Sequence, residues 1–115
     1  MMKENIIVNK TFQISLEIIT LYKRLLEQHE YILSKQLFRS GTSIGANVAE
    51  ATAGQTKKDF IAKMAIASKE ARETKYWLEL LQQSQLVKGD YSTHVSSIEE
   101  IIKILTSIVK TSQQQ

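Results

Sequence analysis

The chain has 115 residues, 43% of them apolar and 23% charged, a composition typical of one soluble globular domain. It contains no cysteine, which excludes a disulfide framework, a thiolate nucleophile and any metal or iron–sulfur site built on cysteine. The net charge of +3 is mildly basic, so it allows a nucleic-acid partner without requiring one.

The N-terminal stretch, residues 1–13, lacks the continuous apolar run and the small-residue cleavage site of a secretory signal. No apolar run in the sequence approaches the roughly 18 residues that are needed to cross a bilayer. We therefore expect a soluble, cytoplasmic protein that has no membrane partner.

Apolar residues at helical spacing predict four helices, over residues 9–28, 32–53, 56–84 and 91–111. The chain has no proline and only 4 glycines, which leaves few sites for β-turns and favours long helices. Because the connections are short, consecutive helices should be antiparallel neighbours. The sequence predicts a single all-α domain, an antiparallel up-down-up-down four-helix bundle.

The first predicted helix begins at Asn9, whose side chain can cap free amides of the first turn. Its apolar surface is wider than one neighbouring helix needs. Two stripes form it, Phe12, Leu16, Ile19 and Leu26 in one, and Ile14, Ile18, Leu21 and Leu25 in the other. Either this helix is buried among several helices of the bundle, or part of it meets another subunit.

The second predicted helix carries a polar stripe among small and apolar residues. Its members recur at spacings of three and four, so they share one helix face: Gln36, Ser40, Ser43, Asn47 and Glu50. Gly41 and Gly45 each cost roughly 1 kcal/mol relative to alanine in a helix interior. That cost is explained if a neighbouring helix comes unusually close. A helix break around residues 40–42 is the alternative.

The third predicted helix starts with Thr56 and Asp59, which resemble a capping box. An antiparallel hairpin that turns near Gly54 places Glu50 close to Asp59 and Phe60, at the amino end of this helix. The helix dipole favours a carboxylate there.

The same hairpin places Arg39 opposite Glu70, with Glu73 also within reach. A partly buried guanidinium–carboxylate pair needs hydrogen bonds around it, because desolvation otherwise cancels much of its Coulomb gain. Three members of the polar stripe can supply those bonds: Gln36, Ser40 and Asn47. We interpret the set as a structural network that fixes helix pairing, with a binding or catalytic cleft as the alternative. Arg39→Ala should then destabilise or disassemble the protein.

Basic residues form a candidate nucleic-acid-binding surface on the third helix. Lys58, Lys69 and Arg72 share one face of it at 100° per residue, and Lys57 is adjacent in sequence. Phosphate affinity grows with the number of contacts, so a ring of subunits would multiply a modest patch. An ordinary solvated face, balanced by nearby glutamates at positions 70, 73 and 79, is the alternative.

Three aromatic residues raise a further possibility, a small-molecule or peptide site that uses Tyr76, Trp77 and Tyr91. Aromatic side chains near helix ends are more often core or interface anchors. A subunit interface would also account for Trp77.

No catalytic constellation is evident in the sequence. The Glu-x-x-His pairs of di-iron bundles are absent, because neither His29 nor His94 follows a carboxylate by three residues. Residues 41–45 are not a phosphate loop, since no Lys-Ser or Lys-Thr follows them. We expect a protein that is not an enzyme and that uses no metal or cofactor.

Two motifs carry a resemblance to a known family. The pattern Gln-x-x-Arg-x-x-x-Ser-Ile-x-x-Asn falls at positions 36–47, followed by Glu50, and an acidic helix begins with Asp59 and Phe60. The segment over residues 40–81 closely resembles the four helix bundle proteins related to the ribosomal RNA intervening-sequence proteins. The resemblance covers roughly half the chain, while the first and last helices match only in pattern.

The resemblance implies an antiparallel four-helix bundle that assembles as a ring-like homopentamer. It also implies kinship with the accessory proteins of diversity-generating retroelements, whose basic pentamers are associated with nucleic acid and a reverse transcriptase. The family has no established enzymatic activity. Our hypothesis is a non-enzymatic homo-oligomer, a pentamer, that binds or scaffolds RNA or DNA. A bundle that binds proteins or small ligands, with no nucleic-acid role, is the alternative.

Overall fold

Four helices account for most of the chain in the computed structural model, which describes residues 2–114 and side chains from Asn5 onward. They are α1 (Met2–Glu27), α2 (Leu33–Thr52), α3 (Lys57–Ser84) and α4 (Ser92–Gln113), and residues 2–114 contain no strand. Helix α2 packs on α1 and α3, and α4 packs on α3 and less extensively on α1. The predicted all-α class with four helices is confirmed.

Helix α1 begins at Met2, so the predicted start at Asn9 is wrong. Ile7 is fully buried, and the Thr11 hydroxyl donates to the Ile7 carbonyl oxygen at 2.7 Å. The apolar residues before Asn9 therefore continue the helix into the core. Asn9 is an exposed position in the helix interior rather than a cap.

Helix α2 runs unbroken through Gly41 and Gly45, which excludes the alternative of a break. A Cβ atom at Gly41 would lie 2.8 Å from Cγ2 of Ile18, and one at Gly45 would lie 3.1 Å from the Thr11 carbonyl oxygen. Both glycines therefore face α1. Their missing side chains let the two helices come close together, which is the contact that the sequence predicts.

The connection between α1 and α2 contains a helix cap that the sequence pattern does not reveal. Glu30 is only 8% exposed, and its Oε1 accepts from the N–H groups of Ile32 and Leu33 at 3.1 and 2.9 Å. Its Oε2 accepts from the N–H group of Ser34 at 2.6 Å. Burial alone would raise the pKa of Glu30, but these three amides outweigh it and hold the pKa below its ordinary value. The carboxylate thus satisfies amides at the start of α2 that the helix leaves unpaired.

Helix α3 begins as the capping-box pattern predicts, because the Thr56 hydroxyl accepts from the Asp59 N–H group at 3.0 Å. It ends at Ser84 and is capped by Gln85, a left-handed residue with φ of 52°. The Gln85 side chain then bonds the backbone of Gly89 in both directions, at 3.0 and 3.1 Å. A glutamine rather than a glycine therefore shapes the connection between α3 and α4.

The core runs along the bundle and receives residues from all four helices. Helix α1 contributes one of its two apolar stripes, and α4 contributes every third or fourth residue of its apolar face. The largest fully buried side chains include Ile14, Ile18, Leu25, Leu37, Ile44, Met64, Leu78, Leu81, Ile98 and Leu105.

Candidate functional site

The buried part of the polar stripe joins α2 to α3 through two hydroxyl groups. Ser40 and Thr74 are fully buried, and their hydroxyl oxygens are hydrogen-bonded at 2.9 Å. Thr74 Oγ1 also lies 2.8 Å from the Glu70 carbonyl oxygen. Because water does not reach this position, each hydroxyl depends on protein partners.

A half-exposed ion cluster lies beside this pair. Arg39 Nη1 donates to Glu70 Oε2 at 3.3 Å, and Arg39 Nη2 donates to Glu73 Oε2. The indole N–H group of Trp77 donates to the same Glu73 oxygen at 3.0 Å. The Arg39 side chain is 48% exposed, so solvent screens the cluster and its contribution to stability is modest.

Within residues 5–114 no hydrogen bond joins the other members of the stripe to the guanidinium, so the prediction that Gln36, Ser40 and Asn47 support Arg39 is wrong. Asn47 Nδ2 donates to the Ser43 carbonyl oxygen at 2.8 Å, and the Ser43 hydroxyl donates to the Arg39 carbonyl oxygen at 2.6 Å. Gln36 is half-buried. Short polar side chains on a helix readily bond the carbonyl one turn earlier. This competes with contacts across the seam, the interface between α2 and α3.

Glu50 forms an ion pair with Lys63 at 2.9 Å, one helical turn along α3 from Asp59. Its carbonyl oxygen and the Asp59 Cβ atom each lie 3.6 Å from the position of a Cβ atom at Gly54, so Glu50 is also near the start of α3, where it was predicted. Side chains on a helix lean toward its amino end. On α2 this lean points away from the turn and on α3 it points toward the turn, so contacts form with residues later on α3 than Cα positions alone indicate. The same lean explains why Arg39 reaches Glu73 as well as Glu70.

The four predicted nucleic-acid-binding residues, Lys57, Lys58, Lys69 and Arg72, are all exposed. They do not form one cluster, since Lys58 and Lys69 lie about 16 Å apart along the axis at 1.5 Å per residue. Arg72 turns toward α4, where its Nη2 donates to the Thr106 hydroxyl at 3.2 Å. The sequence pattern misses this contribution of α4, because periodicity within one helix does not reveal which neighbour its basic face meets.

The outer stripe of α1, Phe12 and Leu16, lies outside the core. Phe12 is 65% exposed and Leu16 is 45% exposed, whereas the stripe that includes Ile14 and Ile18 is buried. Of the two explanations for the wide apolar surface of α1, burial within one bundle does not account for these two residues.

The three aromatic residues proposed for ligand binding occupy different environments. Tyr91 is fully buried, and its hydroxyl donates to the Val87 carbonyl oxygen at 2.6 Å. The Arg24 guanidinium lies 5.3 Å from the centre of the Tyr91 ring. Tyr76 is 57% exposed and packs edge-on against Trp77. Tyr91 is therefore a core anchor that is unavailable to a ligand.

A cavity of 220 Å³ lies between α1 and α4, lined by Glu17, Thr20, Leu21, Arg24 and His94. Nδ1 of His94 is buried and has no hydrogen-bond partner among residues 5–114. Burial lowers the pKa of His94; Glu17 opposes this effect and Arg24 adds to it. The lowered pKa favours the neutral form of the imidazole.

The described residues offer neither a metal-binding cluster nor a membrane-spanning helix. Within residues 2–114, no group of three or more histidine, aspartate or glutamate residues could hold a metal ion. None of the helices in this part of the chain is long and apolar enough to cross a bilayer.

Comparison with known proteins places the fold in a family. The chain is similar to the crystal structure of a protein of unknown function from Bacteroides thetaiotaomicron, of the S23 ribosomal protein family. The two are 46% identical, the match covers 94% of this chain and 98% of that chain, and the TM-score is 0.88. No curated protein matches the chain.

A family model described as 23S rRNA-intervening sequence protein matches residues 3–107. The resemblance indicated by the motifs of α2 and α3 is confirmed, and it extends over α1 and most of α4. The chain therefore belongs to the 23S rRNA-intervening sequence protein family.

Proposed function

We propose that this protein is a non-enzymatic, homo-oligomeric helical bundle of the cytoplasm that binds or scaffolds nucleic acid. One observation carries the proposal. Lys58, Lys69 and Arg72 are exposed, and none of them forms an ion pair with a carboxylate among residues 5–114. Uncompensated cations on the surface of a protein attract phosphate.

The alternative is a solvated face on which positive and negative charges balance. The partners of the nearby glutamates weaken this alternative. Glu70 and Glu73 lie within the same stretch of α3, but both bind Arg39 on α2. Their ion pairs lie on the α2 side of the helix, and among residues 5–114 neither acid forms an ion pair with Lys69 or Arg72. The family description, which refers to 23S rRNA, is consistent with a nucleic-acid partner.

We infer that consecutive helices run antiparallel. The contacts support this, because partners later on one helix pair with residues earlier on the next. Arg39 contacts Glu70 and the later Glu50 contacts Lys63, while Arg72 contacts Thr106 and the later Lys75 contacts Glu99. The connections between helices are also short, as antiparallel neighbours allow.

The outer stripe of α1 supports self-association. An exposed phenylalanine and leucine one turn apart are costly to leave in water, and a second copy of the chain can cover them. The family resemblance favours a ring-like pentamer. Light scattering should report a mass about five times that of one chain, and Phe12→Ser with Leu16→Ser should lower that mass. A monomeric parent protein would contradict the assembly.

The nucleic-acid activity is tested by titrating labelled RNA and DNA with the protein at several salt concentrations. We expect the logarithm of the association constant to fall linearly with the logarithm of the salt concentration, because phosphate contacts release counterions. A protein that binds neither RNA nor DNA at low salt would contradict the proposed nucleic-acid-binding activity. In that case the outer stripe of α1 and the 220 Å³ cavity between α1 and α4 would favour the alternative, a protein-binding or small-ligand-binding bundle.

A further inference from the structure

A groove runs between α3 and α4 and contains two adjacent cavities. Their volumes are 260 and 370 Å³, and Arg72 lines both of them. Ala65, Ser68 and Thr106 line the first cavity with short side chains, which leaves the space open. Two contacts cross the groove, from Arg72 to Thr106 at 3.2 Å and from Lys75 to Glu99 at 3.2 Å.

The charge of this groove is one-sided. Among the described residues, four cations line the two cavities, Arg72, Lys75, Lys103 and Lys110, and the single lining carboxylate is Glu99. Arg72, Lys103 and Lys110 are exposed, and none of them forms an ion pair with a described carboxylate. Lys103 and Lys110 are two helical turns apart, about 10 Å along α4 at 1.5 Å per residue. The cations therefore extend along the groove instead of converging on one point, which suits a charged polymer better than a single small anion.

We propose that this groove binds the phosphate backbone of double-stranded RNA. The proposal rests on the proposed nucleic-acid-binding function and specifies its surface, which uses Arg72 but places the other contacts on α4 and at Lys75. No aromatic side chain from residues 5–114 lines either cavity, so these residues offer no platform for stacking the bases of a single strand.

Neutral polar groups favour RNA over DNA in this groove. Ser68 and Gln113 line the same cavity as Arg72 and Lys110. A hydroxyl and an amide can each donate to and accept from a ribose 2′-hydroxyl, the group that distinguishes RNA from DNA. Double-stranded RNA is recognised mainly through its phosphates and 2′-hydroxyls, with little reading of sequence. Binding should therefore be insensitive to the base sequence of the duplex.

The test is a fluorescence-anisotropy titration of a labelled RNA duplex of about 16 base pairs, in two unrelated sequences. The full-length protein is compared with Lys103→Gln/Lys110→Gln, which removes two groove cations. The matched control, Lys23→Gln/Lys35→Gln, removes two exposed cations on α1 and α2. Both double variants change exposed side chains, and circular dichroism verifies that they fold.

We expect the groove variant to bind at least about fivefold more weakly at 0.1 M salt and its logarithmic salt slope to be smaller by about 2. The control should bind within twofold of the parent. Glu99→Gln removes the carboxylate that competes for Lys75, so it should bind about twofold to threefold more tightly.

The outcomes separate the two proposals. A parent protein that binds no nucleic acid at low salt would overturn both the proposed function and the groove. A parent that binds the RNA duplex, with the groove and control variants equally affected, would overturn the groove and leave the function standing. Tighter binding of a DNA duplex or of single-stranded RNA would overturn the assignment to double-stranded RNA.

Discussion

Helix α3 has two charged sides that differ in how their charges are used. On the α2 side, Glu70 and Glu73 are both bound by Arg39. The buried hydroxyls of Ser40 and Thr74 are hydrogen-bonded to each other across the same α2–α3 seam. On the α4 side, Arg72 faces an open groove where cations outnumber acids. The first side satisfies its own polar groups and holds helices together. The second leaves charge available to a partner.

One short stretch of sequence produces both sides. In residues 69–75 the bases Lys69, Arg72 and Lys75 recur every three residues, and the acids Glu70 and Glu73 lie between them. Because a helix turns 100° per residue, Arg72 and Lys75 point away from Glu70 and Glu73. A run that looks like balanced charge in sequence is therefore sorted into an acidic seam and a basic groove.

The largest effect should come from adding a side chain at Gly41, where α1 and α2 are in close contact. A Cβ atom there would already lie 2.8 Å from Ile18 Cγ2, and Ile18 is fully buried, so it has little room to move. We expect Gly41→Val to lower the free energy of unfolding by about 3 kcal/mol in urea denaturation. Ala46→Val, at an exposed position of the same helix, should cost only about 0.5 kcal/mol. Equal losses in the two variants would contradict a tight contact between α1 and α2.

Removing the Glu30 cap should have the next largest effect. Its carboxylate accepts three backbone N–H groups at the start of α2, so Glu30→Ala should lower the free energy of unfolding by about 2 kcal/mol at pH 7.

The pH dependence of this loss follows from the pKa of Glu30, which lies below its ordinary value in the folded protein. The carboxylate stabilises the fold fully at pH values above its unfolded pKa, and this contribution is lost as pH falls through the lower folded pKa. The gap between parent and variant should therefore narrow on acidification below pH 4.5. A gap that is unchanged in acid would show that the carboxylate charge is not responsible.

A smaller effect is expected at the buried hydroxyl pair of the α2–α3 seam. Thr74→Val keeps the shape of the side chain but removes the hydrogen bond to Ser40, and it should cost about 1 kcal/mol. Adding Ser40→Ala should cost little more, since both hydroxyls are then gone. A double-mutant cycle by urea denaturation measures this coupling. Strictly additive losses would mean that the two hydroxyls do not depend on each other.

The smallest effect should come from Arg39→Ala. This change removes two ion pairs across the seam, but the arginine is 48% exposed, so the expected loss is about 0.5–1 kcal/mol at low salt. High salt should reduce the loss, because it screens exposed charges. Thermal unfolding at two salt concentrations measures both values, with Lys63→Ala as a control for a single exposed pair. A variant as stable as the parent at low salt would show that the two Arg39 ion pairs do not stabilise the fold.

The sequence was sufficient to predict the elements whose signals are periodic or local. Four apolar patterns predicted the four helices, and Thr56 with Asp59 predicted the start of α3. The close contact at Gly41 was also predictable, because glycine destabilises a helix interior and is explained there by a neighbouring helix that comes close. These signals depend on neighbouring residues along the chain.

Other features depend on distances through space and were missed. The Glu30 cap involves a glutamate whose position in a connection has no characteristic pattern. The pairing of Glu50 with Lys63 depends on the direction in which side chains lean, which residue counting ignores. The groove needs Lys103 and Lys110 of α4 beside Arg72 of α3, and only the packing of the two helices brings them together.

The central claim is the proposal that the charges of the α2–α3 seam are paired within the protein while those of the α3–α4 groove bind RNA. The most direct test is the salt dependence of RNA-duplex binding for two double variants that lose the same charge. Lys103→Gln/Lys110→Gln changes the groove, and Arg39→Gln/Lys63→Gln changes the seam. We expect the slope to fall by about 2 in the groove variant and to stay at the parent value in the seam variant. Equal slopes in the two variants would contradict the division of labour between the two sides of α3.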